Sequence, residues 1–91
     1  MGKKTVNYNS KDVRKLPNDK PVVYKIKTEG GNNNYTGIAK RGRVQERIIE
    51  HINEIPGAKV QIEQVSSISE ARKKESDIIK RSQPKYNKQG K

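Results

Sequence analysis

VVYKIKTEGGNNNYTGI, residues 22–38, is the stretch whose reading decides the fold. Val22, Tyr24 and Ile26 alternate with Val23, Lys25 and Lys27, the period-two pattern of a β-strand. Residues 29–33 are turn chemistry, because Gly and Asn tolerate positive φ. A second strand resumes over 34–38, making a β-hairpin with the asparagine run as its loop. Tyr24 and Tyr35 fall one in each strand, half of the chain's four aromatic residues. They read either as amphipathic core fillers or as two phenolic hydroxyls held side by side.

Downstream the period changes. Over 43–55, Val44, Ile48, Ile52 and Ile55 are spaced 4, 4 and 3 apart, the stripe of an amphipathic helix stopped by Pro56-Gly57. Val60, Ile62 and Val65 suggest a third strand. Ser67-x-x-Glu70 fits a capping box, which predicts a second helix from 67 to about 81 with Ile68, Ala71, Ile78 and Ile79 as its apolar positions, ended by Pro84. Upstream, residues 1–20 show no usable period: Val6, Tyr8, Val13 and Leu16 are scattered among six basic and two acidic side chains. The expectation is one small α+β domain of order β-β-α-β-α over 21–88. It has a three-stranded antiparallel sheet flanked by helices, a partly ordered basic arm over 1–20 and a short tail over 89–91.

Composition narrows the function. Of 91 residues only 18 are Ile, Val or Leu, while 21 Lys and Arg against 10 Asp and Glu give a net charge of +11. Such an excess opposes compaction and points to a polyanionic partner. The absence of cysteine excludes a disulfide scaffold, a zinc finger and a thiol nucleophile, and His51, the single histidine, cannot anchor a His-rich metal site. No apolar run could span a membrane. The polar, lysine-rich N-terminus has no signal-peptide character, so the expected location is cytoplasmic.

Polar residues on the apolar stripes carry the sharper signal. Glu75 shares a helix face with Ala71, Ile78 and Ile79, where an uncompensated carboxylate would cost several kcal/mol. A basic partner, water at a cleft or a metal ion could compensate it, and a structural salt bridge is the plainest of the three. Arg47 and His51 form an i, i+4 pair bordering the first helix's stripe. Arginine grips a phosphodiester bidentately, but it could equally snorkel and pair with Glu50 or Glu54. A lone histidine on a helix flank is more often a packing residue than a catalyst.

Taken together, these residues resemble the GIY-YIG nuclease family. Its two tripeptides would here be Val22-Val23-Tyr24 and Tyr35-Thr36-Gly37, with ten residues between the tyrosines. Arg47-x-x-x-His51, Glu75 and Pro84-Lys85-Tyr86-Asn87 then follow in the family's order, so the resemblance spans about residues 21–88. Val22 and Thr36 depart from the motif's glycine and isoleucine, Ile38 follows where many members have Ser or Lys, and Lys40-Arg41-Gly42 resembles a short insertion.

The resemblance implies a metal-dependent endonuclease that hydrolyses DNA phosphodiester bonds. It makes Tyr24, Tyr35, Arg47, His51, Glu75 and Asn87 the catalytic set. Glu75 would be the sole protein carboxylate on Mg²⁺ (or Mn²⁺), and Tyr24 the group that activates water if nearby cations lower its pKa. Arg47 would hold the scissile phosphate, Tyr35 and His51 would orient water or phosphate, and Asn87 would brace the site. Lys40, Arg41, Arg43, Arg81, Lys85 and Lys88 are the expected DNA contacts. A homodimer or larger complex would supply sequence specificity. Two other readings remain open: a catalytically silent nucleic-acid-binding module on the same scaffold, and an adaptor for acidic protein.

Overall fold

The computed structural model describes residues 3–82. Its elements run β1 (Lys3–Asn7), α1 (Ser10–Val13), β2 (Val22–Lys27), β3 (Asn33–Ala39), α2 (Val44–His51), β4 (Lys59–Gln64) and α3 (Ile68–Ser82). The strands form one antiparallel sheet in the order β1-β4-β2-β3. The sheet therefore has four strands, which corrects the expected three. The fourth comes from the stretch read as a basic arm: Lys3–Asn7 is largely exposed, so it lacks the apolar alternation that betrays a half-buried strand. Backbone pairing to β4 makes it a strand, with Val6 opposite Val60.

Both faces of the sheet are covered. Val22, Tyr24, Ile26, Val60 and Ile62 face one way and pack with Val13, Leu16, Val44, Ile48 and Ile55 from α1, α2 and the loops around them. Val23 points to the other face and meets Val65 and Ala71, with Ile38, Ile68 and Ile78 packed around them. The scarce apolar residues are thus divided between two small cores, and β3 is left as the sheet edge between α2 and α3.

Local chemistry sets the element ends. Asn9 caps α1, its side chain accepting from the Asp12 amide. Asn18 caps α2 from a distance: its side-chain oxygen accepts from the Val44 amide at 2.8 Å. Its carbonyl accepts from Gly42 at 2.8 Å. Gln45 donates to the Leu16 carbonyl, so the loop after α1 props the start of α2. The regular helix ends at His51, short of Ile55, because the His51 carbonyl takes amides from both Glu54 and Ile55 in a tightened last turn. At α3, Ser67 accepts from the Glu70 amide as a capping box requires, but the Glu70 carboxylate reaches back to Ser66.

The asparagine run is more than a loop. The β2–β3 register shifts between Ile26 and Lys27, leaving Asn34 as the extra residue of a bulge. Asn33 pins the bulge by donating to the Thr36 hydroxyl and accepting from the Tyr35 amide, and Asn34 donates to the Pro56 carbonyl. Tyr8 closes the far end of the fold, its hydroxyl donating to the Ile55 carbonyl at 3.0 Å.

Deleting residues 1–8 should lower the unfolding free energy by about 3 kcal/mol or more, read as a lower denaturant midpoint, as two half-buried side chains and a strand's pairing are lost. An unchanged midpoint would restore the reading of this stretch as a partly ordered basic arm.

Candidate active site

The β2–β3 register places Tyr24 directly opposite Gly37 and Ile26 opposite Tyr35. The two tyrosines are therefore diagonal neighbours on the face that α2 covers, with ring centroids 6.1 Å apart. His51, at the end of α2, completes the group: its ring lies 5.9 Å from that of Tyr24 and 4.8 Å from that of Tyr35. The Tyr24 hydroxyl and His51 Nε2 are 2.9 Å apart.

Gly37 is the seat of this arrangement. A Cβ built there would lie 2.7 Å from the Tyr24 hydroxyl oxygen, 2.8 Å from its Cζ and 2.9 Å from Tyr35 Cε2. The Tyr24 ring folds across bare backbone, and that close approach brings its hydroxyl to the histidine.

Burial sets the protonation states. It pushes the Tyr24 phenol well above its ordinary value, reinforced by Tyr35 and opposed by Arg47. Tyr35 is raised too, again by burial first, with Arg47 pulling it back. Cations therefore do not make Tyr24 a ready phenolate, contrary to the condition set from sequence: its side chain is 0% exposed, and desolvation outweighs the arginine. His51 is shifted down, by burial and then by Arg47, so the imidazole is neutral at pH 7. Its Nδ1 is buried without a hydrogen-bond partner, and Glu54 Oε1 stands 3.8 Å away. That carboxylate favours the proton on Nδ1, which leaves Nε2 to accept from Tyr24.

Arg47 lies one turn before His51, half-exposed and loosely paired with Glu50 at 3.9 Å. Its charge acts on Tyr24, Tyr35 and His51 alike. Glu75 arrives from α3, across the β3 edge. It is half-buried, burial raises its pKa above the ordinary 4.5 with Arg72 opposing, and its charge raises both tyrosines. Among the described residues it has no ion-pair or hydrogen-bond partner, so the structural salt bridge that its spacing favoured does not form there. No group of three or more His, Cys, Asp or Glu side chains gathers among those residues. A lone desolvated carboxylate nevertheless fits Mg²⁺, which keeps most of its waters and takes one or two protein carboxylates.

Beside this cluster a cleft of about 270 Å³ is lined by Ile38, Ala39, Lys40, Arg43, Arg47, Ile68 and Arg72. Lys40 and Arg43, two of the expected DNA contacts, line this cleft, and Arg41 is exposed in the same turn. Arg81 does not line the cleft; it acts on Lys25, on the sheet face turned toward α3. Asn87, Lys85 and Lys88 lie outside the described residues. Three residues went unread in the sequence. Gly37 was noted only as the last letter of a tripeptide, and Glu54 only as an ion-pair partner. Arg72 sits three residues before Glu75, a spacing that could have placed it on the same helix face.

Among solved structures, the GIY-YIG N-terminal endonuclease domain of UvrC from Thermotoga maritima, bound to magnesium, is similar to this chain. The match has a TM-score of 0.63 and 29% sequence identity, and it covers 81% of this chain and 93% of that one. This chain carries the GIY-YIG nuclease fold. The resemblance read from the sequence is thus matched by the fold over 81% of the chain. No family model and no curated protein sequence matches the chain. Among the described residues no helix is long and apolar enough to cross a membrane.

Two outcomes follow from the site's geometry. Gly37→Ala should cost about 1–3 kcal/mol by overpacking, read as a lower Tm, and a neutral substitution would contradict the seat assigned to Gly37. By NMR, His51 should titrate below 6.5, and Glu54→Gln should lower it further, since Glu54 favours the imidazolium. Because folding lowers this pKa, the group's contribution to stability is complete above 6.5 and is lost as the pH falls toward the folded value. A midpoint at or above 6.5 would contradict the desolvated imidazole.

Proposed function

We propose that the chain is a metal-dependent endonuclease that hydrolyses DNA phosphodiester bonds. The observation that carries this reading is the convergence of Tyr24, Tyr35 and His51 in mutual contact beside Arg47, with the charge of a desolvated Glu75, unpaired among the described residues, acting on both tyrosines. A purely structural role explains the tyrosine rings, but among the described residues it leaves Glu75 uncompensated.

Tyr24 works as a conduit and His51 as the base. Tyr24 is closed to solvent in the chain alone, so bound DNA must bring the attacking water to its hydroxyl. As Tyr24 takes a proton from that water, its own proton passes along the 2.9 Å contact to the neutral His51 Nε2. No free phenolate is needed, which suits a phenol whose pKa burial has raised. Glu54 then stabilises the imidazolium that forms. Arg47 holds the scissile phosphate and offsets charge that develops on it. Tyr35, packed on His51, orients phosphate or water. Glu75 would hold a divalent cation, Mg²⁺ or Mn²⁺, which when bound supplies Lewis-acid stabilisation of the leaving oxygen.

The departures from the tripeptide pattern leave this set intact. Val22 is buried in the main core, and Thr36 is buried and bonded by Asn33. Neither side chain takes the place of a tyrosine.

Nicking of supercoiled plasmid should require Mg²⁺ or Mn²⁺, and Glu75→Ala should slow it about a hundredfold or more. Wild-type nicking by Glu75→Ala would sink the metal assignment, while binding without cleavage under both metals would leave the silent binding module. With about six phosphates neutralised, log affinity for DNA should fall against log salt with a slope of about −5, and a slope near zero would contradict a nucleic-acid footprint.

A further inference from the structure

The cleft next to the catalytic cluster is made of two kinds of surface. It is lined by four cations, Lys40, Arg43, Arg47 and Arg72, and by an apolar part made of Ala39 with Ile38 and Ile68, both only half-buried. Phosphates of a stacked duplex need the cations alone. Ile38 and Ile68 pack on the second core with one part and leave the rest exposed in the cleft, where it offers such a backbone nothing and costs free energy if left to water.

Two of these cations are held in place. Arg43 donates its amide to the Lys40 carbonyl at 2.9 Å, and Gly42, at φ 85°, donates to Asn18. These bonds fix the turn that presents both cations. Glu46 pairs with Arg43 at 2.8 Å and aims its guanidinium. A volume of about 270 Å³ is the scale of a single small ligand, and far too little for a duplex. Arg47 both lines this cleft and belongs to the catalytic cluster, so whatever occupies the cleft adjoins the phosphate that Arg47 would hold.

We infer that this cleft is a subsite for one unpaired DNA nucleotide. The base lies on Ile38 and Ile68, its flanking phosphates lie on the four cations, and single-stranded, bulged or flapped DNA is bound in preference to a continuous duplex. A base in a duplex reaches such a cleft only after unstacking, which costs a few kcal/mol, whereas an unpaired base enters with little penalty. The inference rests on the DNA-binding reading above and adds the substrate class. Arg72, which the sequence left unread, becomes a phosphate contact.

The test measures binding in EDTA, so it does not depend on cleavage. The full chain is titrated with two duplexes of one sequence, one fully paired and one carrying a single unpaired 2-aminopurine. Tighter binding of the bulged duplex by about tenfold is expected, with a change in 2-aminopurine emission as the base leaves water. Ile68→Ser and, independently, Ile38→Thr should remove that preference and leave affinity for the paired duplex unchanged, with melting curves confirming that each folds. Arg72→Gln should weaken the bulged complex several-fold. Equal affinity for the two duplexes, or a preference that survives both isoleucine substitutions, overturns the subsite while DNA binding stands. Failure to bind either duplex at low salt overturns the DNA reading and the subsite with it.

Discussion

The hydrogen bond between the Tyr24 hydroxyl and His51 Nε2 is the constraint around which the site is organised. Tyr24 is sealed in the main core, and a buried phenol without a partner would cost roughly 1–3 kcal/mol. His51 supplies that partner from the last turn of α2, so the helix must end where the sheet needs it. Gly37 must be bare for the ring to lie across β3. One contact thereby ties β2, β3 and α2 together. It also fixes the chemistry: the same burial that forbids an ionised tyrosine keeps the histidine neutral and able to accept its proton.

The placement of β3 at the sheet edge does the rest. Helices cover both faces, and at that edge groups from opposite faces can approach each other. Arg47 comes from one side and Glu75 with Arg72 from the other. Three arginines and Lys40 consequently line one cleft, with Arg43 and Arg47 each paired, among the described residues, only to a carboxylate of α2. A paired Glu75 would be cheaper to fold. The described residues leave it desolvated instead, and this local conflict between stability and arrangement marks it as functional.

Much of this was legible in the sequence. Alternation through Val22, Tyr24 and Ile26, the Val44–Ile48 stripe and the Ser67–Glu70 cap located β2, α2 and α3, because each pattern is local and periodic. The strand β1 was not legible: Lys3–Asn7 is mostly exposed, and its strand character comes from pairing with β4 some fifty residues away. Asn18 was invisible for the same reason, since its cap on Val44 is a tertiary contact. The site's residue types could be read, but their protonation could not. Sequence left open whether basic neighbours depress the Tyr24 pKa; packing decides it and raises it. Glu54 and Gly37 acquire roles only when register and helix ends are known.

A double-mutant cycle on single-turnover plasmid nicking, with Tyr24→Phe, His51→Gln and the pair together, tests the central claim most directly. If the phenol and imidazole act as one relay, the double variant should be no slower than the slower single variant, within about twofold. Rate losses that multiply in the double variant would show two independent groups and contradict the account.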